Sequence, residues 1–571
     1  MQSRDFLRSF TFIPFGFIQR FQSFGVLDAS ATGRITKGKM KTLKITAAVA
    51  ALAIAMAGQQ AAFADSAAPV YVDAASTNET IQVLATSGDK FGSYVLPGTP
   101  DGLGLYKSGT GYKMLLNHEF TSNQSAFVRA NGAITGGSTI SELTYDANMK
   151  LVSATDAIKN VVWYDYLTAT YGKTPVAPTG AAAKNSYGDP FHTTAVQRFC
   201  SASLAAAGSF AYTTGSGKKA KTIGYTKPVF LTGEEDGAES RSFALNAEGE
   251  MVQLPRLGLA DTETFNVAPG NTLQTVLIGN EDGLVNTSEL RMYVGAKTTT
   301  GAWYERAGLT NGQLYYAKVQ DILNDTAFRA TVGKGKPTAV SFKSIDTSVN
   351  GAEQAKQGVA TATGFSRIED GQFDPLHPND YYFVTTSSNG AAAATTLDPA
   401  LPKVTKRDGG GLWRLRFKDI KDPLAGATVE LLLDGSEPAF LNMPDNLTID
   451  KSGNIILQED PGNNVTLSRV FAYRIKDAKL AQIAGFNAAL FSDGSAKKIT
   501  VDEESSGVTD VTDLLRKNKS DKNSYYVFVA QVHAPVATAR PDLTDAASIA
   551  SAVEGGQIYL LTVPSWSKIY G

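Results

Sequence analysis

The 571-residue chain has a single cysteine, Cys200, and only four histidines. One cysteine excludes an internal disulfide, and so few imidazoles disfavour a zinc site built on several histidines. Charged residues make up 19% of the chain and the net charge is −2, so nucleic acid is not an expected partner. The sequence contains no Gly-x-Ser-x-Gly, no Gly-x4-Gly-Lys-Ser/Thr and no His-Glu-x-x-His. Serine-hydrolase and nucleoside-triphosphatase mechanisms therefore have no residues to support them.

An apolar stretch near the N-terminus, about 14 residues long, is too short to span a bilayer about 30 Å thick. It follows several lysines and precedes Ala62-Phe63-Ala64, small residues of the kind that a signal peptidase recognises. We therefore expect a signal peptide over residues 40–64 and a periplasmic or extracellular product. Residues 1–39 are expected to be a non-native N-terminal extension, because Met40 is a better start than the first methionine.

Strand patterns dominate from about residue 70 onward. Residues 413–417 alternate tryptophan, leucine and phenylalanine with two arginines, a period of two that is typical of a strand with one buried face. Frequent Asn-Gly and Asp-Gly pairs indicate tight turns between short strands. Helical patterns are few, the clearest being Tyr316 to Arg329 and Leu543 to Val553. The chain is predicted to be all-β with a few short peripheral helices.

The most informative pattern is a pair of acidic residues placed directly after an apolar run. It occurs at Glu234-Glu235, Glu281-Asp282, Glu369-Asp370, Glu459-Asp460 and Glu503-Glu504, and Asn117-His118-Glu119 follows the same plan with one carboxylate. Carboxylates at the ends of several strands repel one another if they converge, unless a multivalent cation lies among them. The pattern therefore predicts a metal site assembled from many loops. The alternative is that these acids simply occupy solvated turns.

The spacing of these segments suits a β-propeller, in which one blade takes about 40–50 residues. The innermost strands of a propeller line a central channel, and their ends converge on one rim. In that geometry the scattered acidic pairs would become one cluster. In a two-domain β-sandwich, which is the alternative fold, they would stay dispersed.

Three further residue types could take part in the chemistry. Cys200 could bind a transition metal as a thiolate, or it could be a small buried hydrophobic residue. Arg367 stands beside an acidic pair and could hold phosphate oxygens in bidentate fashion, or form a plain surface ion pair. His118 could polarise the neighbouring Glu119, or belong to a hydrogen-bonded loop. His533 ends a strong strand pattern and could donate a proton or contact phosphate.

Taken together, these segments resemble the PhoX-type alkaline phosphatases, a family of secreted bacterial phosphomonoesterases. The similarity extends from about residue 112 to 535 and rests on the order and spread of its segments. Those segments are 115–119, 198–201, 233–235, 254–258, 307–312, 367–371, 458–462 and 502–507. The chain has Ile368 where the family often has proline, between the arginine and the glutamate.

The resemblance implies a six-bladed β-propeller with an iron pair and several calcium ions at the mouth of its channel. By position, Cys200 corresponds to the thiolate that bridges the irons, and Arg367 to the arginine that holds phosphate. The implied carboxylate ligands are Glu119, Glu234 or Glu235, Glu263, Glu369 and Asp460. Asp282, Asp370 and Glu459, from the acidic pairs, complete the candidate metal ligands.

We expect residues 65–571 to form one propeller domain, a secreted metal-dependent phosphatase that hydrolyses phosphate monoesters with iron and calcium. The expected substrate is a small-molecule phosphate ester, and the expected state is a monomer without a membrane span. Two other functions remain open. One is a non-catalytic, calcium-stabilised propeller that binds a surface glycan or protein. The other is a propeller phytase or phosphodiesterase.

Overall fold

The computed structural model describes residues 68–122, 124, 126–128, 134–387, 409–435, 437, 441–462 and 466–571. The expected signal peptide and N-terminal extension lie outside these ranges. Strands dominate the described residues, and the longest described helix, Gly351–Thr361, has 11 residues. None of the helices in the described ranges has the length and apolar character needed to cross a membrane.

The main strands form six groups, which we number as blades 1 to 6 and list from the innermost strand outward. Blade 1 contains Pro100–Ser108, Gly111–His118, Thr139–Tyr145 and Leu151–Asp156. Blade 2 contains Phe199–Ala205, Val229–Glu234, Ser242–Asn246 and Glu250–Gln253, with Asn160–Asp165 and Thr170–Gly172 added outside. Blade 3 contains Thr262–Val267, Gln274–Glu281, Arg291–Ala296 and Gln313–Val319.

Blades 4 to 6 repeat this plan. Blade 4 contains Ile368–Phe373, Asp380–Thr385, Gly411–Phe417 and Ala427–Leu433. Blade 5 contains Pro444–Ile449, Asn454–Glu459, Arg469–Arg474 and Lys479–Phe486, and blade 6 contains Glu503–Asp510, Ser524–Pro535 and Glu554–Val563. Thr338–Ser344 pairs with the outermost strands of blades 3 and 4 and joins these two blades into one nine-stranded sheet.

Two N-terminal strands complete the last two blades. Val72–Ala74 pairs with Lys479–Phe486 at the outer edge of blade 5, and Thr80–Thr86 pairs with Glu554–Val563 as the outermost strand of blade 6. The N-terminal end of the described chain is thereby held in place by its C-terminal end.

The inner strands form a closed ring. Each inner strand contacts the inner strand of the next blade, and that of blade 6 contacts that of blade 1. The clusters of buried apolar side chains lie between neighbouring blades, so that each blade is covered on both faces. Blade 2 shows the reason for the continuous apolar runs, because Phe230 packs toward blade 1 and Leu231 toward blade 3. The second strand of a blade, counted from the channel, is buried on both faces. It therefore needs apolar residues at consecutive positions.

The shorter elements lie outside the six blades. Short hairpins pair Lys90–Phe91 with Tyr94–Val95, Ala126–Val128 with Ile134–Gly136 and Ala211–Thr214 with Lys221–Gly224. The described α-helices are Trp303–Arg306, Asp325–Thr331, Gly351–Thr361, Ala488–Phe491, Thr512–Leu515, Val536–Ala539, Ala546–Ala552 and Trp566–Ile569. Single 3-10 turns occupy Gly217–Lys219, Pro255–Leu257 and Pro423–Ala425.

The all-β prediction is confirmed, and residues 413–417 form a strand with alternating burial. The helix predicted from Tyr316 is wrong in its first half. Residues up to Val319 end a strand of blade 3, where Tyr316 and Val319 are buried. The helix begins only after Asn324, whose side chain caps it by accepting a hydrogen bond from the backbone N–H of Ala327 at 2.9 Å.

Candidate active site

The second residue of each inner strand is either acidic or the lone cysteine. In blade order these residues are Asp101, Cys200, Glu263, Glu369, Asp445 and Glu504, which we call the inner ring. All six are buried. Because the inner strands lie side by side around the channel, equivalent positions on them face the same end of it. Six distant stretches of the chain thus contribute metal-binding side-chain types to one place.

A second set of side chains comes from the ends of the second strands. The first residue of each inner strand pairs with a residue near the end of the second strand, as Phe199 does with Glu234. The residues that follow these pairs, in blade order, are Glu119, Glu235, Asp282, Thr386, Asp460 and His533. Four of them carry carboxylates, and we call these four the outer set: Glu119, Glu235, Asp282 and Asp460. Each of these four residues directly follows the residue that pairs with the start of an inner strand.

Local backbone irregularity accompanies the inner ring. In blades 1 to 5 the pairing between the first and second strands shifts register directly after the first pair, and the ring residue lies within the shift. A bulge of this kind re-aims a side chain. The residue two positions before the ring residue has a positive φ in four blades: Thr99, Arg198, Arg367 and Met443. Such a backbone is costly for residues other than glycine and is commonly kept at functional sites.

Four groups of three ligand atoms follow one another around the mouth, with all atoms of a group within 4.8 Å of one another. They are Asp101, Glu119 and Cys200; Cys200, Glu235 and Glu263; Glu263, Glu369 and Asp445; and Asp445, Asp460 and Glu504. Neighbouring groups share Cys200, Glu263 or Asp445. Two groups therefore contain the thiol, and the other two contain oxygen ligands alone.

Several ligand atoms lack an ordinary partner. Neither carboxylate oxygen of Glu263, nor Oδ1 of Asp101, has a hydrogen-bond partner, although both residues are fully buried. The Cys200 thiol donates to Oδ2 of Asp101 at 3.1 Å. A buried carboxylate without a donor costs free energy unless a cation binds it. The residues present therefore fit bound metal ions.

The acid–base behaviour of the metal-free chain agrees with this fit. Burial, followed by the charges of neighbouring carboxylates, raises the pKa of Asp101, Glu263 and Asp445 well above the ordinary value. Burial and the charge of Asp101 likewise raise the pKa of the Cys200 thiol. A multivalent cation reverses both effects, because it favours the carboxylate and thiolate forms.

Two arginines lie at the mouth of the channel. Arg198 bonds to Glu119 through Nε at 2.8 Å and to Glu235 through Nη2 at 3.1 Å. Arg367 bonds to Asp282 through Nε at 2.9 Å and through Nη2 at 2.6 Å, and its Nη2 lies 3.2 Å from Glu369. Their side chains are 40% and 34% exposed, while the carboxylates they contact are buried.

His533 is the imidazole at this mouth. Its Nε2 lies 3.5 Å from Glu504 and its Nδ1 lies 3.1 Å from Glu554. Burial alone would lower the pKa of His533, but hydrogen bonds to Glu504 and Glu554, together with the charges of Glu504 and Glu119, raise it well above the ordinary value. The ring thus sits between two carboxylates, and the His533 side chain is 31% exposed.

The structure brings six of the sequence-predicted metal residues into the four groups: Glu119, Cys200, Glu235, Glu263, Glu369 and Asp460. Asp282 lies outside the groups and forms a bidentate pair with Arg367. The structure also does not bring Glu234, Glu459 or Asp370 into the four groups. Glu234 forms a bidentate contact with the buried Arg241, and Glu459 does the same with Arg469. Asp370 accepts backbone hydrogen bonds from Gly371 at 2.7 Å and Leu447 at 3.3 Å, farther along the channel wall.

His118 also lies apart from the mouth, although we expected it to act there. Its Nδ1 lies 2.7 Å from the carbonyl oxygen of Gly98, and its Nε2 lies 2.6 Å from the Ser141 hydroxyl. The side chain is fully buried, and burial lowers the pKa of this imidazole to about 4. Successive strand residues point to opposite faces, so His118 turns into blade 1 while Glu119 reaches the mouth.

Four site residues were not in the predicted ligand set, although Glu504 belongs to one of the acidic pairs: Asp101, Asp445, Glu504 and Arg198. Asp101 precedes a glycine and was interpreted as part of a turn, and Asp445 precedes an amide residue. The signal that could have found the three acids is their place at the start of the strand before each second strand. Arg198 could have been found as the counterpart of Arg367, since each stands two residues before a ring residue.

A family model described as alkaline phosphatase PhoX matches residues 245–514. The resemblance to the PhoX-type alkaline phosphatases is confirmed. With it, the prediction of a phosphoester hydrolase is confirmed as well. The match contains the all-oxygen groups around Glu369 and Asp445, whereas Cys200 and Glu119 lie before its start. No curated protein sequence matches the chain.

Among solved structures, PhoX from Pseudomonas fluorescens in complex with vanadate, a transition state analogue, is similar with a TM-score of 0.55 and 12% identity. The likeness covers 87% of this chain and 97% of that one, and it confirms the β-propeller fold. A luciferin-regenerating enzyme follows with a TM-score of 0.30 and 8% identity, over 85% of this chain and 95% of that one. The WD40 domain of SCAP from fission yeast has a TM-score of 0.25 and 9% identity, over 86% and 99% of the two chains. These last two similarities are too weak to support a conclusion about fold or function.

Proposed function

We propose that this phosphatase hydrolyses phosphate monoesters at the channel mouth, with iron and calcium bound by the inner ring and the outer set. The observation that carries the proposal is the succession of four ligand groups in which Cys200 belongs to two and the buried oxygens of Glu263 have no partner. Thiolate suits a transition metal, and carboxylate oxygens alone suit calcium. We therefore assign iron to the two groups that share Cys200, and calcium to the two all-oxygen groups.

When bound, these ions would supply Lewis-acid polarisation of the phosphoryl oxygens and activation of a water nucleophile. No nucleophile from the protein is required, which agrees with the missing serine sequence. Arg367 would orient the phosphate through its planar fork of donors, which matches phosphate oxygens in bidentate geometry. Its ion pair with Asp282 fixes the guanidinium at the rim. Vanadate, held by the Pseudomonas fluorescens PhoX structure, is an anion of the kind this mouth would receive.

His533 is proposed to give a proton to the departing alcohol. Glu504 and Glu554 lie within contact distance of its two ring nitrogens, and part of the side chain is exposed. A leaving group of high pKa needs such a proton, whereas p-nitrophenolate leaves without one. The His533→Asn variant should therefore lose much more activity on an alkyl phosphate than on p-nitrophenyl phosphate. Equal losses on the two substrates would contradict this role.

The test of the proposed function is elemental analysis together with hydrolysis. Protein purified without chelator should contain both iron and calcium and should release p-nitrophenol from its phosphate monoester. The Cys200→Ser variant should lose iron but keep calcium, because serine removes the soft ligand and leaves the all-oxygen groups intact. A protein with calcium alone and no hydrolysis would instead favour the non-catalytic propeller. Greater activity on a diester or on phytate would favour the third function.

Secretion belongs to the same proposal. We propose that residues 40–64 are cleaved as a signal peptide and that the mature domain begins at Asp65. The described strands begin at Val72, shortly after this point. Intact-mass measurement of protein exported from a bacterial host should give the mass of residues 65–571. The Ala64→Lys variant should keep the longer chain, because a signal peptidase needs a small residue there.

A further inference from the structure

We propose that Arg198 is a second phosphate-holding arginine that acts together with Arg367 at the channel mouth. The inference rests on the proposed function, since it assumes that a phosphate group binds there. It concerns a residue that lies outside the matched family segment, 245–514.

Arg198 and Arg367 occupy equivalent positions in two blades. Arg198 stands two residues before Cys200, and Arg367 stands two residues before Glu369, so the two arginines occupy the same place in blades 2 and 4. Both have a left-handed backbone, with φ of 38° and 59° respectively. That conformation is unfavourable for arginine and needs support from the surrounding structure. The fold therefore aims two guanidinium groups from separate blades toward the same opening.

The two arginines also contact carboxylates of the ligand groups and the outer set. Arg198 bridges Glu119 and Glu235, which belong to the two ligand groups that share Cys200. Arg367 bonds to Asp282 and lies near Glu369, and the charge of Glu235 also acts on it. The two arginines thus contact outer-set carboxylates of neighbouring blades, Glu235 in blade 2 and Asp282 in blade 3. A phosphate dianion bound beside these carboxylates would be within reach of both guanidinium groups.

The charge around Arg198 and the exposure of its side chain also suit a bound anion. Metal ions bound by Glu119 and Glu235 would neutralise these carboxylates and weaken their hold on Arg198. Its side chain, 40% exposed at the mouth, would then present donors to an incoming anion. The fully buried Arg241 beside Glu234, by contrast, has no exposed donors to offer a ligand.

The experiment measures binding of inorganic phosphate to metal-loaded protein by titration calorimetry, together with phosphate inhibition of hydrolysis. Arg198→Ala should weaken phosphate binding about 10- to 100-fold, and Arg198→Lys about 10-fold, because lysine keeps the charge but loses the planar fork. Metal content should stay at the wild-type level in the lysine variant. In hydrolysis the loss should appear mainly as a raised KM.

The matched control is Arg416→Ala. Arg416 is a half-exposed arginine that forms a bidentate pair with the buried Asp380, at the other end of a blade 4 strand. It should leave phosphate binding unchanged. If Arg198→Ala does not fold, the lysine variant decides the matter.

The outcomes separate this inference from the proposed function. Wild-type protein that carries its metals but binds no phosphate would overturn both. Wild-type protein that binds phosphate, with Arg198 variants that bind it equally well but melt at lower temperature, would overturn only the role of Arg198. Weakened phosphate binding at unchanged metal content would establish it.

Discussion

Adjacent acidic residues in this propeller have opposite surroundings. Glu234 and Glu459 point into their blades and each accept a fork of hydrogen bonds from an arginine. Their next neighbours, Glu235 and Asp460, point to the channel mouth and join other carboxylates and Cys200. The alternation of a strand separates the two sets by a single residue. We call Glu234 and Glu459 the paired acids. The acids of the inner ring and of the outer set are the mouth acids.

The difference shows what each set requires. A paired acid finds its positive charge within the fold, so it contributes to the structure without any ion. The mouth acids have more negative charge than Arg198, Arg367 and His533 can balance, and their pKa values are mostly raised. They are therefore complete only with cations bound. Mutations in the two sets should accordingly have different consequences.

The largest effect is expected for Glu263→Gln. Glu263 is shared by two ligand groups, and a neutral amide binds cations much more weakly than a carboxylate. We expect hydrolysis to fall at least about 10²- to 10³-fold and metal content to fall with it. Glu234→Gln is the matched control, because it makes the same change in a paired acid. Equal metal content in the two purified variants would contradict the distinction.

Glu234→Gln should instead destabilise the fold. It removes the carboxylate charge that pairs with the buried Arg241, and breaking such a pair costs about 3–5 kcal/mol. Denaturant unfolding should show this loss, while the folded fraction keeps its metals. The double variant Glu234→Gln/Arg241→Met should recover part of the stability, because the uncompensated charge is gone. No recovery would mean that Arg241 matters through its packing on Trp163 and Phe243.

Chelation should affect only the mouth acids. Cations that bind the folded chain at 100 to 1,000 times their dissociation constant stabilise it by about 3–4 kcal/mol. Treatment of the wild type with EDTA should therefore lower its melting temperature, and the Glu263→Gln variant should respond much less. A wild type that melts at one temperature with and without chelator would show that the mouth acids are tolerated without ions.

The smallest effect concerns the other end of an inner strand. Asp510 ends the strand that begins beside Glu504, and burial raises the pKa of Asp510 to about 6, with Asp450 and Asp513 as charged neighbours. A carboxyl group with a raised pKa favours folding fully below its unfolded value and loses that contribution as pH rises through about 6. Asp510→Asn should therefore stabilise the protein at pH 8 by about 1–3 kcal/mol.

That advantage should nearly disappear near pH 4, where the folded carboxyl is protonated and the unfolded one is about half protonated. Urea unfolding at the two pH values measures the difference. Asp493→Asn, a change at an exposed aspartate, is the control and should show no comparable dependence on pH. A gain in stability that is the same at both pH values would contradict the assignment to ionisation of Asp510.

Much of the fold could be predicted from the sequence, because period-two patterns and apolar runs reflect burial directly. Three of the acidic pairs also indicated where second strands end, whereas Glu369-Asp370 and Glu503-Glu504 lie at the start of inner strands. Which member of a pair faces the mouth could not be decided, since that depends on strand register. Glu234 and Glu235 are equally acidic, and only the pairing of Glu234 with Phe199 fixes their directions.

The inner ring was harder to predict for a different reason. Asp101 and Asp445 are single acids beside turn-forming residues, and a short sequence around either gives no indication of metal binding. Their role appears only when six strands, far apart in the chain, are superposed as equivalent blades. His118 shows the converse, because a histidine beside a ligand glutamate looked catalytic but turns into blade 1.

The outermost strand of blade 6, Thr80–Thr86, is made early by the ribosome, but the strand it pairs with, Glu554–Val563, is made near the end. We therefore expect ring closure to be a late event of folding, with one edge of the C-terminal blade left open until the early segment docks. Until then the ligand groups on either side of the seam, including Asp101 and Glu504, have no fixed spacing. Metal ions should consequently bind after ring closure, and they should stabilise a ring of blades that has already closed.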